Sequence, residues 1–118
     1  MSVVEQFARA HIVTDENDRA EPEAAPVRLR YDPDADPRAV RIALPDRPEW
    51  TFSRSLLEQG LRAPAGSGDV RVWPCGRVQT VVEFHSAQGV SVVQFDTKTL
   101  IRFLRRTYRA APMPLSNY

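Results

Sequence analysis

Residues 50–74, WTFSRSLLEQGLRAPAGSGDVRVWP, decide how the chain is read. Trp50 and Phe52 end a strand. Ser53 then stands where an N-cap hydroxyl accepts from an amide of the first helical turn, which has no partner within the helix. Arg54 to Gln59 form a short helix that turns Leu56 and Leu57 toward a core. Gly60 falls at the helix end, where the pattern predicts a residue with φ > 0, and Leu61 folds back on Leu56 in a Schellman contact. Pro64 keeps the helix from restarting. Gly66, Ser67 and Gly68 read as a mobile turn. Asp69, Val70, Arg71, Val72 and Trp73 alternate with period two, a half-buried strand that Pro74 stops. No Gly-Lys-Ser/Thr follows the glycines and no helix starts after them, so the loop is a chain reversal rather than a phosphate cradle. The stretch is a strand–helix–strand corner without chemistry of its own.

Working outward, 118 residues suffice for one domain with one core. An apolar content of 42% with 26% charged residues belongs to an ordinary soluble globular chain. A net charge of +1 provides no overall basic field to gather nucleic acid or anionic lipid. No apolar run is long enough to span a bilayer, and Met1 to Glu5 lack a basic n-region, so neither membrane insertion nor a signal peptide is expected. The single cysteine, Cys75, excludes an internal disulfide. With only two histidines beside it, no metal site is expected, and a reducing cytoplasm fits.

Upstream of the corner, Val3 to Thr14 read as a long strand. Val4, Gln6, Ala8, Ala10 and Ile12 take the core parity, which leaves Phe7 as an apolar residue on the outer face with Glu5, Arg9 and His11. Asp15 to Pro26 (DENDRAEPEAAP) is acidic and aperiodic, a mobile loop. Val27, Leu29 and Tyr31 face inward and Arg28 and Arg30 outward. Asp32 to Pro37 has turn chemistry and lacks the central glycine and distal glutamate of a calcium loop. Arg38 to Leu44 is another strand, with Val40, Ile42 and Leu44 on one face, and Pro45 to Pro48 turn it toward Trp50.

Downstream, Cys75-Gly76-Arg77 makes a tight turn. Val78 to His85 returns as a strand, with Val78, Val82 and Phe84 on one side and Val81 on the other. After Ser86 to Gly89, Val90 to Phe95 form the last strand. Short loops between successive strands give an antiparallel meander. A long helix follows, capped by Asp96 or Thr97. Leu100, Ile101, Leu104 and Tyr108, widened by Phe103, supply its buried stripe, and Lys98, Arg102, Arg105, Arg106 and Arg109 fill the remainder. That basic face is a solvated helix side or a partner-binding patch. Residues 1–111 form the domain, and 112–118 a short frayed tail. His11 and His85 lie on strands with no motif tying either to a nucleophile, and no carboxylate spacing argues for acid–base work. The residues read as an α+β binding module rather than an enzyme, with no cofactor.

Four strings carry a family resemblance: Leu29 to Asp32 with Asp36 to Val40, Trp50 to Leu61, Pro64 to Pro74, and Phe103 to Thr107. In pattern form the middle ones are W-x-F-x-R-x-L-L-x-x-G-L and P-x-G-x-G-D-V-x-V-W-P. Over roughly Val3 to Ala111 the chain resembles the SsgA-like family, the sporulation and cell-division regulators of filamentous actinobacteria. The resemblance implies a twisted, barrel-like antiparallel sheet similar to Whirly-type folds, with a short corner helix and a longer C-terminal helix. It also implies a homotrimer and a non-enzymatic role at septum sites, through the tubulin-like division protein FtsZ or a family paralogue, or in septal or spore-wall maturation. No catalytic residues come with it. The alternative, by analogy of fold, is a single-stranded nucleic-acid-binding module. Tyr31, Phe84 and Phe95 read as core, however, which leaves few stacking platforms, and nucleic-acid binding is not expected. Two departures leave the paralogue's partner open: the turn at Cys75 is short, and the chain ends soon after Thr107 where several members continue into an acidic tail.

Overall fold

Apolar side chains at every second position build a single curved sheet, which the computed structural model describes for residues 3–14 and 23–111. The strands are β1 (Val4–Thr14), β2 (Glu23–Tyr31), β3 (Ala39–Ala43), β4 (Trp50–Ser53), β5 (Ala65–Ser67), β6 (Val70–Cys75), β7 (Gln79–Ser86) and β8 (Gly89–Asp96). Helix α1 (Arg54–Gly60) lies between β4 and β5, and α2 (Thr97–Ala110) follows β8. The order across the sheet is β4-β3-β2-β1-β8-β7-β6-β5, antiparallel throughout, so two meanders meet where β1 pairs with β8.

That junction gives the sheet its shape. β1 pairs with β2 from Val4↔Tyr31 to Ile12↔Glu23, but with β8 only over His11–Thr14. Along the rest of that edge α2 takes the place of a strand. Gln6 Nε2 donates to Thr99 O (3.2 Å), and Arg106 Nη1 donates to Glu5 O (3.2 Å) and Gln6 Oε1 (3.2 Å). The sheet curls until Trp50 on the edge strand β4 stacks on Phe84 of β7, ring centroids 4.8 Å apart. Helix α1 joins β4 to β5 and packs on β5 and β6. The result is an α+β half-barrel with a short corner helix and a longer C-terminal one, the architecture that the family resemblance implies.

Ala8, Ala10, Val27, Leu29, Tyr31, Val40, Ile42, Val82, Phe84 and Phe95 are buried together, as their parities require, and Phe7 stands 66% exposed on the other face. From α2 the core receives Leu100, Phe103 and Leu104.

Several expectations are corrected. Residues 23–26 of the expected acidic loop belong to β2, with Ala24, Ala25 and Pro26 opposite His11, Ala10 and Arg9. The long β1 templates them. Pro26 is tolerated because β3 pairs only with Arg28 to Arg30, so no ladder bond is lost on that side. The remainder of that loop, 15–22, and the tail 112–118 lie outside the described residues. Gly66 and Ser67 are not turn residues; they form β5 opposite Arg71 and Val70, and the reversal is Gly68-Asp69, with Gly68 at φ 59°. Pro74 does not end its strand, since β6 runs to Cys75. It faces Thr80 of β7 and lies past the last residue that β5 pairs, where no N–H is needed. Val78 is in the turn and 65% exposed rather than at the start of β7 on one side with Val82 and Phe84.

The corner helix ends differently from the prediction. Gly60 is its last residue and does not have a positive φ. Leu61 follows in the right-handed region (φ −71°, ψ −21°), so no Schellman motif forms. What requires glycine is proximity: a Cβ there would overlap Cβ and Cγ1 of Val72 on β6. Ser53 caps as expected, its Oγ accepting from Leu56 N at 3.1 Å. On α2 the N-cap position is Asp96, but its side chain makes no cap bond, and Thr97 Oγ1 instead bonds Thr80 Oγ1 at 2.8 Å.

Candidate functional site

Much of the corner motif is packed into the core or against its margin. Phe52, Leu56 and Leu57 are buried, and Trp50, Leu61 and Ala65 pack at the core's margin. Val70 points into the core, and Asp69 O accepts from His85 N at 2.8 Å. The residue that sequence reasoning missed is Arg54. It is only 4% exposed and no carboxylate pairs with it among the described residues. Its guanidinium lies over the rings of Tyr108 (4.0 Å to the centroid) and Tyr31 (5.1 Å). Nη1 donates to Ala111 O (3.0 Å), Tyr31 Oη (3.2 Å) and Thr107 O (3.3 Å). Arg54 therefore caps the last carbonyls of α2 from the first turn of α1 and fixes both helices to one another. Tyr108 Oη donates to Glu58 Oε1 (2.9 Å) and completes the link. Burial pushes the Tyr108 hydroxyl pKa up, and the bond and charge of Glu58 add to that, so Tyr108 stays a neutral donor. Arg54 had one legible signal: three and seven residues before Leu57 and Leu61, it shares their helical stripe.

Held in this way, α2 presents one uniformly basic side. The helix contains no acidic residue. Lys98, Arg102, Arg105 and Arg109 are exposed at spacings of four, three and four, a single stripe opposite Leu100, Phe103, Leu104 and Thr107. None of these four has a partner among the described residues. Arg106 stands apart from them, because its guanidinium is engaged by Glu5 and Gln6 of β1. The stripe can attract carboxylates or phosphates. It offers no group that makes or breaks a bond.

A second polar cluster lies on the outer face of β6 and β7. Trp73 Nε1 donates to Glu83 Oε2 (2.6 Å), and His85 Nε2 lies 3.0 Å from Glu83 Oε1. Burial raises the Glu83 pKa, but the two hydrogen bonds, with the charges of His85 and Arg71, outweigh it and hold the carboxyl below its ordinary range. Gly66, Arg71, Trp73 and Glu83 border an open cleft there of about 520 Å³. No hydroxyl or thiol nucleophile bonds to a base in it. Among the described residues no three His, Cys, Asp or Glu side chains are grouped to hold a metal ion, and no helix is long and apolar enough to cross a membrane.

The described residues thus present a curved sheet with one uniformly basic helix side. The chain belongs to the SsgA family, described as Streptomyces sporulation and cell division proteins, whose profile matches residues 25–115. It is 40% identical over 104 residues to the sporulation-specific cell division protein SsgB of Frankia casuarinae, covering 78% of this chain and 71% of that one. A second Frankia casuarinae sporulation-specific cell division protein, Francci3_3418, is 36% identical over 116 residues, 93% of this chain and 77% of that one. Among solved structures, SsgB from work on longitudinal cell division during sporulation of Streptomyces coelicolor superposes with a TM-score of 0.81 at 34% identity, over 94% of this chain and 88% of that one. The SsgA-like sporulation-specific cell division protein of Thermobifida fusca also gives 0.81, at 29% identity, over 96% and 85%. Membership supports a role in sporulation-associated cell division.

Proposed function

We propose that the chain is a non-enzymatic recruiter at division sites, holding a component of the division machinery where a sporulation septum forms. FtsZ or a family paralogue is the partner expected from the family resemblance. The observation that carries this reading is the unneutralised stripe Lys98, Arg102, Arg105 and Arg109, on a helix that Arg54 and Arg106 fasten rigidly to the sheet. A protein that only positions a partner needs a fixed, charged surface and no chemistry. Self-association into a trimer belongs to the same proposal. β4 and β5 each leave one strand edge open, which supports it.

Single-stranded nucleic acid gains nothing from this surface beyond charge. Tyr31, Phe84 and Phe95 are fully or almost fully buried, and Phe7 and Trp73 lie on the outer face of the sheet apart from the α2 stripe, so a basic track with successive stacking rings is missing from the described surface. The test is deletion of the gene in its own host, scoring septa along sporulating hyphae and the placement of FtsZ rings. Sparse or misplaced septa are expected, with vegetative growth retained. Septa of normal number and spacing would refute the proposal.

A further inference from the structure

On the opposite side of the sheet from α2, strands β1, β2 and β3 carry a compact group of arginines around an exposed aromatic ring. Register places Arg30 directly opposite both Glu5 and Arg41, and Arg28 opposite Phe7. Arg41 and Arg30 are thus like charges at adjacent cross-strand positions, an arrangement that costs stability. Glu49 offsets part of it, its carboxylate bridging Arg28 Nη2 (3.5 Å) and Arg41 Nη1 (3.7 Å). Arg30 has no ion-pair or hydrogen-bond partner among the described residues. The Nε–H groups of Arg28 and Arg30 are closed to solvent without an acceptor, so only the terminal Nη groups are left to meet a ligand. Beside them Phe7 is 66% exposed. Two carboxylates, Glu5 and Glu49, stand among three arginines. The excess of positive charge is therefore a local spot and not a continuous track.

We propose that this face docks a short acidic segment of a partner protein, its carboxylates on Arg30 and Arg41 and an adjacent apolar side chain on Phe7. The inference rests on the recruiter reading and gives it a second surface, since an adaptor holds two things at once and α2 lies on the other side of the sheet. Charge complementarity selects the occupant. A guanidinium pair matches carboxylates in fork geometry. A phosphate backbone would pass Glu5 and Glu49 and find one ring where stacking needs several. Opposed like charges retained at a cost in stability are expected where the charge serves binding.

The experiment is fluorescence anisotropy with the full chain and a labelled peptide of alternating glutamate and leucine, beside its glutamine–leucine analogue and a labelled oligothymidylate, at physiological salt. The proposal expects micromolar binding of the glutamate peptide only. It expects affinity to fall about tenfold in Arg30→Gln/Arg41→Gln and severalfold in Phe7→Ser, and to hold in Arg102→Glu/Arg105→Glu. Arg30→Gln alone is expected to melt at the same temperature as the wild type or higher, which a structural role for Arg30 would not allow. Equal loss in the α2 variant, tighter binding of oligothymidylate, or no binding to the wild type each overturns the proposal. None of these results bears on the deletion phenotype, so the two readings fail separately.

Discussion

At Gly60 the chain needs the absence of a side chain, not an unusual backbone angle. The helix end packs so closely on β6 that any Cβ would overlap Val72. Gly60→Ala is therefore expected to destabilise by about 1–3 kcal/mol, the usual cost of forcing extra volume into a packed site. Thermal melts check it. Combining Gly60→Ala with Val72→Ala should cost less than the sum of the two single changes, because the second makes room for the first; strict additivity would show that the contact is not the cause. The glycine was legible in sequence as a position that tolerates nothing else, but its reason was not. A Gly after a helical run signals a positive φ by local rules, whereas a close approach to a strand twelve residues away is tertiary. Arg54 was hidden in a similar way. Arginine rarely goes inside, and only Tyr31 from β2, with Tyr108 and the end of α2, makes that burial tolerable.

At the scale of elements, alternation gave the parity of β1, β2 and β3 correctly, because each has one buried face and one more accessible face. It failed where strands continue past residues that locally end them: Pro26 in β2, Gly66 in β5 and Pro74 in β6. Each is held by one neighbour while the opposite edge is free, which no single segment reveals. The cross-strand contact between β6 and β7 carries a pH dependence. The Glu83 carboxyl is held below its ordinary range in the fold, so its stabilising contribution is present above the unfolded-state pKa. That contribution is lost as pH falls through the folded one. The wild type should thus lose melting temperature on acidification more steeply than Glu83→Gln. Parallel curves for the two proteins would remove Glu83 from the account.

For the whole molecule, fold class and family were both readable, since the corner motif is built of residues whose packing the half-barrel requires. The basic stripe proposed for docking was only half readable. The sequence shows five basic residues on α2, and only the packing separates Arg106, tied to β1, from the exposed stripe. Self-association is expected to give a scattering mass near three times the 13.3 kDa chain at micromolar concentration, and a single-chain mass at every concentration would exclude it. The recruiter reading itself is tested most directly by separating surface from fold. Arg102→Glu/Arg105→Glu reverses the stripe at two exposed positions with no hydrogen bond or ion pair to the described residues, so its melt should overlay that of the wild type within about 0.5 kcal/mol. The decisive measurement is the number and spacing of septa when this variant replaces the native gene in its host. A folded protein that fails to restore septation is expected; full restoration by the folded variant would refute the recruiter reading.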